Sequence, residues 1–291
     1  MQASRVRRLV ALSAGAAMAA AGTATVGTPA QAATQTYAPA ATAKIHPGVM
    51  MYTEGAQCTA NFVYTDDAGN TYVGYAAHCA GLGEATDTNG CDAESLPLGT
   101  PVTFVEKGSL ISAGTTVGTG ELVYSSWLSM QENNESDPNA CAYNDLALVQ
   151  VSAADVGKVN PSVPYFGGPV GLNTTGTQAG DKVYSYGNSS LRAGIEQLSP
   201  KFGLSLGDQA ADEGWSHPVY TMTPGVPGDS GSGFLDAAGN AVGVLSTLAI
   251  APLAGSNNVG DLSRELDYAD AHSGISGLTL VPGTEPFSAV L

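Results

Sequence analysis

Three short runs place residues of the right types for nucleophilic chemistry. Ala76-Ala77-His78-Cys79 closes one apolar segment, and Asn144-Asp145-Leu146-Ala147-Leu148-Val149 opens another. Gly228-Asp229-Ser230-Gly231-Ser232-Gly233 sets a serine in a glycine-rich turn. Each run alone has an ordinary reading: a boundary histidine, an aspartate capping a turn, a loop serine. Together they hold what acyl transfer requires. A serine hydroxyl becomes a useful nucleophile once an imidazole can take its proton. That imidazole needs a carboxylate to fix its tautomer and to stabilise the cation that forms. The tetrahedral intermediate needs backbone N–H groups aimed at its oxyanion. A glycine at 228 lets the backbone approach closely enough to offer its own N–H beside that of Ser230.

The elements that must position these groups read as strands. Runs rich in β-branched and aromatic residues recur at 60–64, 71–77, 102–106, 122–127, 146–151, 182–186, 219–222, 233–235 and 241–248. Turn signals separate them, including the similar stretches Asp66-Asp67-Ala68-Gly69-Asn70 and Asp236-Ala237-Ala238-Gly239-Asn240, each joining two strands as a hairpin. One helix is expected, over 261–272, capped by Asp261 with Leu262, Leu266 and Ala269 on one face. Residues 160–177, rich in Gly, Pro, Asn and Thr, read as a linker between two halves. Residues 131–139 read as a solvated acidic loop rather than a calcium site.

Composition agrees with an all-β chain. Of 291 residues 43% are hydrophobic and only 12% charged, which excludes intrinsic disorder. Ten Lys and Arg against 26 Asp and Glu repel phosphate backbones, so nucleic acid is excluded as a partner. Arg5, Arg7 and Arg8, the apolar run 9–21 and Ala30-Gln31-Ala32 form the three-part pattern of a cleaved signal peptide over 1–32. That run is too short, and too broken by Gly15 and Gly22, for a membrane anchor. Its removal leaves seven cations against 26 acids, a net charge of −19. The adjacent Arg7-Arg8 leaves open whether export takes the general or the twin-arginine route. Four cysteines, at 58, 79, 91 and 141, suit two disulfides in an oxidising compartment, with three possible pairings. No close Cys pair supports zinc, and no metal or other cofactor is expected.

The motifs AAHC, NDLALV and GDSGSG, in the order His, Asp, Ser, resemble those of the chymotrypsin/trypsin family of secreted bacterial serine proteases. The resemblance covers about 45–272. It implies two packed six-stranded antiparallel β-barrels with a C-terminal helix: 45–160 carrying His78 and Asp145, and 161–291 carrying Ser230, the helix and a tail. Residues 33–44 become a short N-terminal or pro-segment. By the same resemblance His78 is the general base and acid, Asp145 orients it and Ser230 is the nucleophile. Gly228 and Ser230 supply oxyanion-hole N–H groups, and Ser246 supports the aspartate and lines the substrate strand. Cys58 pairs with Cys79, which leaves Cys91 with Cys141. The implied protein is a monomeric endopeptidase acting on peptides, without membrane or nucleic-acid partners.

Specificity follows from the same carry-over. Pro224 falls at the base of the primary pocket, where a carboxylate would select Lys or Arg, and a neutral floor disfavours a substrate cation. Leu245 stands where glutamate-specific relatives carry histidine. Thr247 and Leu248 narrow the pocket, so a small or medium apolar residue is expected at the cleaved bond. Asp208, Asp212 and Glu213 are the carboxylates whose arrival would change that. Asp229, expected to be buried and ionised, requires a cationic or multiply hydrogen-bonded partner. Arg192 is the first choice among Lys44, Lys107, Lys158, Lys182, Lys201, Arg264 and a freed Ile45 amine. Two other readings remain. One is a binding protein on an inactive protease fold. The other is an α/β-hydrolase, which Ser232 argues against by occupying the last glycine of the G-x-S-x-G elbow.

Overall fold

In a computed structural model of the chain, residues 35–83, 89–248 and 255–289 are described. The signal-peptide expectation and the side chain of Leu248 lie outside the described residues. The first sheet contains β1 (Met50–Thr53), β2 (Ala56–Thr59), β3 (Val63–Thr65), β4 (Thr71–Ala76), β5 (Pro101–Glu106), β6 (Thr115–Ser125) and β7 (Leu146–Val151). The second contains β8 (Lys182–Tyr186), β9 (Pro200–Ser205), β10 (Ser216–Met222), β11 (Gly233–Leu235), β12 (Ala241–Leu248) and β13 (Asn257–Asp261). Helix α1 (Ser126–Glu132) and α2 (Pro138–Tyr143) follow β6, α3 (Leu262–His272) follows β13, and β14 (Thr279–Leu280) lies in the tail. No described helix is long and apolar enough to cross a membrane.

The second sheet is a closed barrel of six antiparallel strands in the order β10-β13-β12-β11-β8-β9. Val183, Val219, Phe234, Val242, Leu245 and Val259 form a buried cluster within these strands. Strict alternation would set Val242 and Leu245 on opposite faces, and the register shift of β12 against β11 at Val242 lets both join it. The first sheet runs β14-β3-β4-β7-β6-β5-β1-β2. A closed six-stranded barrel was expected there, but eight strands form a curled sheet. Two local causes account for the difference. The segment read as one strand over 60–64 breaks at 60–62, where the Asn61 carboxamide captures the Phe62 N–H at 2.6 Å. β2, last in the sheet order, and β3, second in it beside β14, are therefore two pieces of one bent strand that the chain itself joins. The eighth strand, β14, comes from the tail assigned above to the second half, and it pairs with β3.

Two further expectations change. The strand read over 122–127 ends at Ser125, and Ser126–Glu132 coils into α1. The acidic loop 131–139 contains the end of α1 and the start of α2, which Asp137 caps through the Asn139 N–H at 2.9 Å with Pro138 in the first turn. Three α-helices therefore stand among the described residues where one was expected. That one, α3, forms as read, with the Asp261 carboxylate accepting the Arg264 N–H. The two Asp-x-x-Gly-Asn turns form alike. Asp66 and Asp236 each accept the backbone N–H of the asparagine four residues on, closing the β3–β4 and β11–β12 hairpins.

Candidate active site

β4 and β7 run antiparallel with Ala76 opposite Leu146, so the residues just past that end of the pair must meet. His78 leaves β4 in a 3₁₀ turn, and Asp145 enters β7. The Ala77 N–H donates to the Asp145 carbonyl at 2.8 Å. The carboxylate then takes the His78 backbone N–H on Oδ1 at 2.9 Å and faces ring Nδ1 through Oδ2 at 2.7 Å. Ser246 Oγ donates to the same Oδ2 at 2.6 Å. Asp145 is buried, whereas the His78 side chain is 26% exposed, enough for a substrate to reach it. Burial pushes the imidazole pKa down, but the charge and hydrogen bond of Asp145 outweigh it, and the net shift is upward.

The turn of Ser230 is seated against the same strand ends. The Thr59 N–H donates to the Ser230 carbonyl at 2.8 Å, and the Gly231 N–H to the Leu245 carbonyl at 2.7 Å. Leu245 precedes Ser246, and so the serine turn, the Asp145 carboxylate and the His78 ring share one neighbourhood. Gly231 has a φ of +89°, and a Cβ there would lie 2.6 Å from the Thr59 carbonyl oxygen and 2.7 Å from the Ala76 nitrogen. Gly233 gives way to the Phe62 ring, which a Cβ would meet at 2.5 Å. The Cys58–Cys79 disulfide ties the residue before Thr59 to the residue after His78, and a second bridge joins Cys91 to Cys141. No hydrogen bond joins Ser230 to His78 among the described residues. Such contacts commonly tighten only when substrate binds.

Along the turn, backbone donors alternate. The Asp229 N–H is spent on the Val226 carbonyl at 2.8 Å and the Gly231 N–H on Leu245. The N–H groups of Gly228 and Ser230 have no protein acceptor among the described residues. Gly228 adopts a φ of +94°, which favours glycine. Gln57 Nε2 and Thr59 Oγ1 hold its carbonyl at 2.9 and 2.7 Å, an anchoring pair from the first sheet that the sequence did not flag.

Asp229 is fully buried and meets two cations. Arg192 Nη2 and Lys201 Nζ both reach Oδ2, the latter at 2.9 Å, and the Val226 N–H adds a third donor at 3.0 Å. Lys201 is itself completely buried, and burial, with repulsion from Arg192, moves its pKa down against the pull of Asp229. Gly187 leaves the room this requires, since a Cβ would sit 2.5 Å from Asp229 Oδ1 and 2.6 Å from Lys201 Cε. The Ile45 N–H is committed elsewhere, to the Lys158 carbonyl at 3.1 Å.

On the substrate side Pro224 is exposed, with its carbonyl taken by Arg192 at 3.2 Å. The buried neighbour is Gly225. Its N–H donates to Asn257 Oδ1 at 2.8 Å, and Asn257 Nδ2 lies 3.3 Å from its carbonyl and 3.4 Å from that of Thr247. Asn257 thus ties the 223–227 segment to Thr247, a role the sequence reading missed. Asp208 and Asp212 are engaged with His217 and Ser216. Cys58, His78 and Cys79 bring potential ligand atoms within 4.8 Å, but both sulfurs are in a disulfide, and a metal site needs thiolate.

No family model and no curated protein matches this chain. Among solved structures it is similar to protease A of Thermobifida fusca, at 18% identity over 82% of this chain and 99% of that one, with a TM-score of 0.48. It is also similar to a Cellulomonas bogoriensis chymotrypsin, at 17% identity over 81% and 98%, with a TM-score of 0.46. A glutamic acid specific serine protease is 16% identical over 81% of this chain and all of its own, with a TM-score of 0.47. These are likenesses of chain trace, and the chemistry of the site rests on its own geometry.

Proposed function

We propose that this protein is an exported serine endopeptidase. Ser230 Oγ attacks the scissile carbonyl carbon while its proton passes to His78 Nε2. Asp145 holds the imidazole by Nδ1 and stabilises the imidazolium. The carbonyl oxygen, now an oxyanion, is received by the N–H groups of Gly228 and Ser230. Collapse breaks the C–N bond as His78 returns the proton to the leaving amine. Water, deprotonated by His78, then releases the acyl group from Ser230. The observation that carries this reading is the Ser246–Asp145–His78 hydrogen-bond chain, with both Nδ1 and the His78 backbone N–H held by one buried carboxylate.

The pocket beside Thr247 and Gly225 receives a small or medium apolar side chain. In support, Asp208 and Asp212 are engaged with His217 and Ser216, and the cations Arg192 and Lys201 are consumed by Asp229. Leader removal near Ala32–Ala33 and export agree with the two disulfides. The test is cleavage of a peptide library by purified protein alongside Ser230→Ala. Cuts after apolar residues that vanish in the variant are expected. Cuts that persist in the variant overturn the assignment, and dominant cleavage after Lys, Arg or Glu overturns the pocket.

A further inference from the structure

Behind Asp145 lies a carboxyl group that the proposed chemistry does not use. Glu265, in the first turn of α3, is fully buried, 120 residues further along the chain. Its Oε1 accepts the Asp145 backbone N–H at 3.0 Å, while Oε2 has no hydrogen-bond partner among the described residues. Gly260 makes the approach feasible, because a Cβ there would stand 2.7 Å from Oε1. The ionisable groups facing Glu265 are Asp145, Asp261 at the start of α3, and the phenols of Tyr64 on β3 and Tyr124 on β6, with Tyr268 beside Tyr124. None of these is a cation. Burial, with the charges of Asp145 and Asp261 adding to it, raises the Glu265 pKa against the pull of the Asp145 N–H.

We propose that Glu265 is a positioning residue: by holding the Asp145 backbone N–H from behind, it fixes the aim of the Asp145 carboxylate at His78 Nδ1. Asp145 is otherwise held through its carbonyl, to Ala77, and its carboxylate, to His78 and Ser246. Among the described residues Glu265 is the one partner of its N–H. Losing it leaves a buried donor unpaired and frees the residue to shift, and small displacements of catalytic groups are costly. The inference rests on the reading of His78, Asp145 and Ser230 as a triad.

The test compares Glu265→Gln, Glu265→Asp and Glu265→Leu in peptide hydrolysis. Gln keeps an acceptor at the same reach, so kcat should stay within about threefold of wild type. Leu should lower kcat by about ten- to a hundredfold with KM little changed. Asp, one methylene shorter, should fall between them and covers the case of a Leu variant that does not fold. A second readout is the downfield proton NMR signal of His78 Nδ1 in a Ser230→Ala background, expected intact with Gln and weakened or lost with Leu or Asp. Wild-type kcat and an unchanged signal in Asp and Leu overturn the proposal. Wild-type protein without peptidase activity would sink the triad reading instead, and the NMR readout would still report on Glu265.

Discussion

Replacing Lys201 by methionine removes one of two cations from a carboxylate with no access to water. At the observed Nζ–Oδ2 distance of 2.9 Å, the attraction is about 6 kcal/mol at an effective dielectric of about 20. Desolvation of the ammonium offsets part of this, and breaking a buried pair costs about 3–5 kcal/mol in practice. Methionine fills much of the same volume, so little of that cost comes from a cavity. Arg192 and the Val226 N–H remain on Asp229 Oδ2, which places the expected loss toward the lower end. For a chain of this size each kcal/mol lowers Tm by about 2–4 °C, so a loss of about 3 kcal/mol should melt Lys201→Met about 6–12 °C below its parent. The assay is thermal unfolding by circular dichroism in a Ser230→Ala background, which prevents self-digestion. Adding Asp229→Asn completes a double-mutant cycle, in which the Lys201→Met penalty should shrink by at least about 1 kcal/mol. A variant melting within about 2 °C of its parent, or strictly additive effects, would refute the claim that this ion cluster holds the serine turn.

Two pH dependences follow from the histidines. The base form of His78 is needed and its pKa is raised, so kcat/KM should climb with pH through an apparent pKa above the ordinary 6.5. A pH–rate profile on a neutral peptide checks this, and a limb below 6.5 contradicts it. His217 is fully buried between Asp208, at 2.6 Å from Nδ1, and Asp261, at 2.8 Å from Nε2. Burial lowers its pKa, but the hydrogen bonds and charges of Asp261 and Asp208 outweigh that and leave it above 6.5. Its contribution is therefore fully present below about pH 6.5 and fades as pH rises through the folded-state value. His217→Asn should cost about 3–5 kcal/mol at low pH and less in alkali, measured by denaturant unfolding. Equal costs at both pH values would contradict the clamp.

What the sequence made legible was local. His78, Asp145 and Ser230 lie in short runs that point to acyl transfer only when taken together, Ser246 was marked only by the family resemblance, and the structure brings Asp145, His78 and Ser246 into hydrogen-bond contact. Arg192, first choice among eight candidate cations for its place in the glycine-rich stretch 186–194, does reach Asp229. Nothing near Lys201 in the chain marks a buried ammonium, because its partner is 28 residues away and is reached only once β8, β9 and the serine turn close together. Glu265 did leave a signal. It sits three residues after Leu262 and four before Ala269, on the stripe that buries α3, and a charged residue on an apolar face is the pattern that marks it. The bend at 60–62 was hidden, since apolar β-formers run through it and only the Asn61 carboxamide breaks the ladder. Helix α1, seven residues long, is too short to show a helical period against the aromatic run before it. Asn257 bridges 225 and 247, a tertiary contact that no local pattern announces.

The central claim is that Ser230 is a nucleophile activated by His78, and an active-site-directed fluorophosphonate tests it most directly. Purified protein would be labelled, digested and mapped by mass spectrometry, beside Ser230→Ala and His78→Ala. The account predicts one phosphonyl group, on Ser230, with labelling abolished in the first variant and slowed by orders of magnitude in the second. A folded wild-type protein that stays unlabelled, or labelling on another residue that persists in Ser230→Ala, would contradict it.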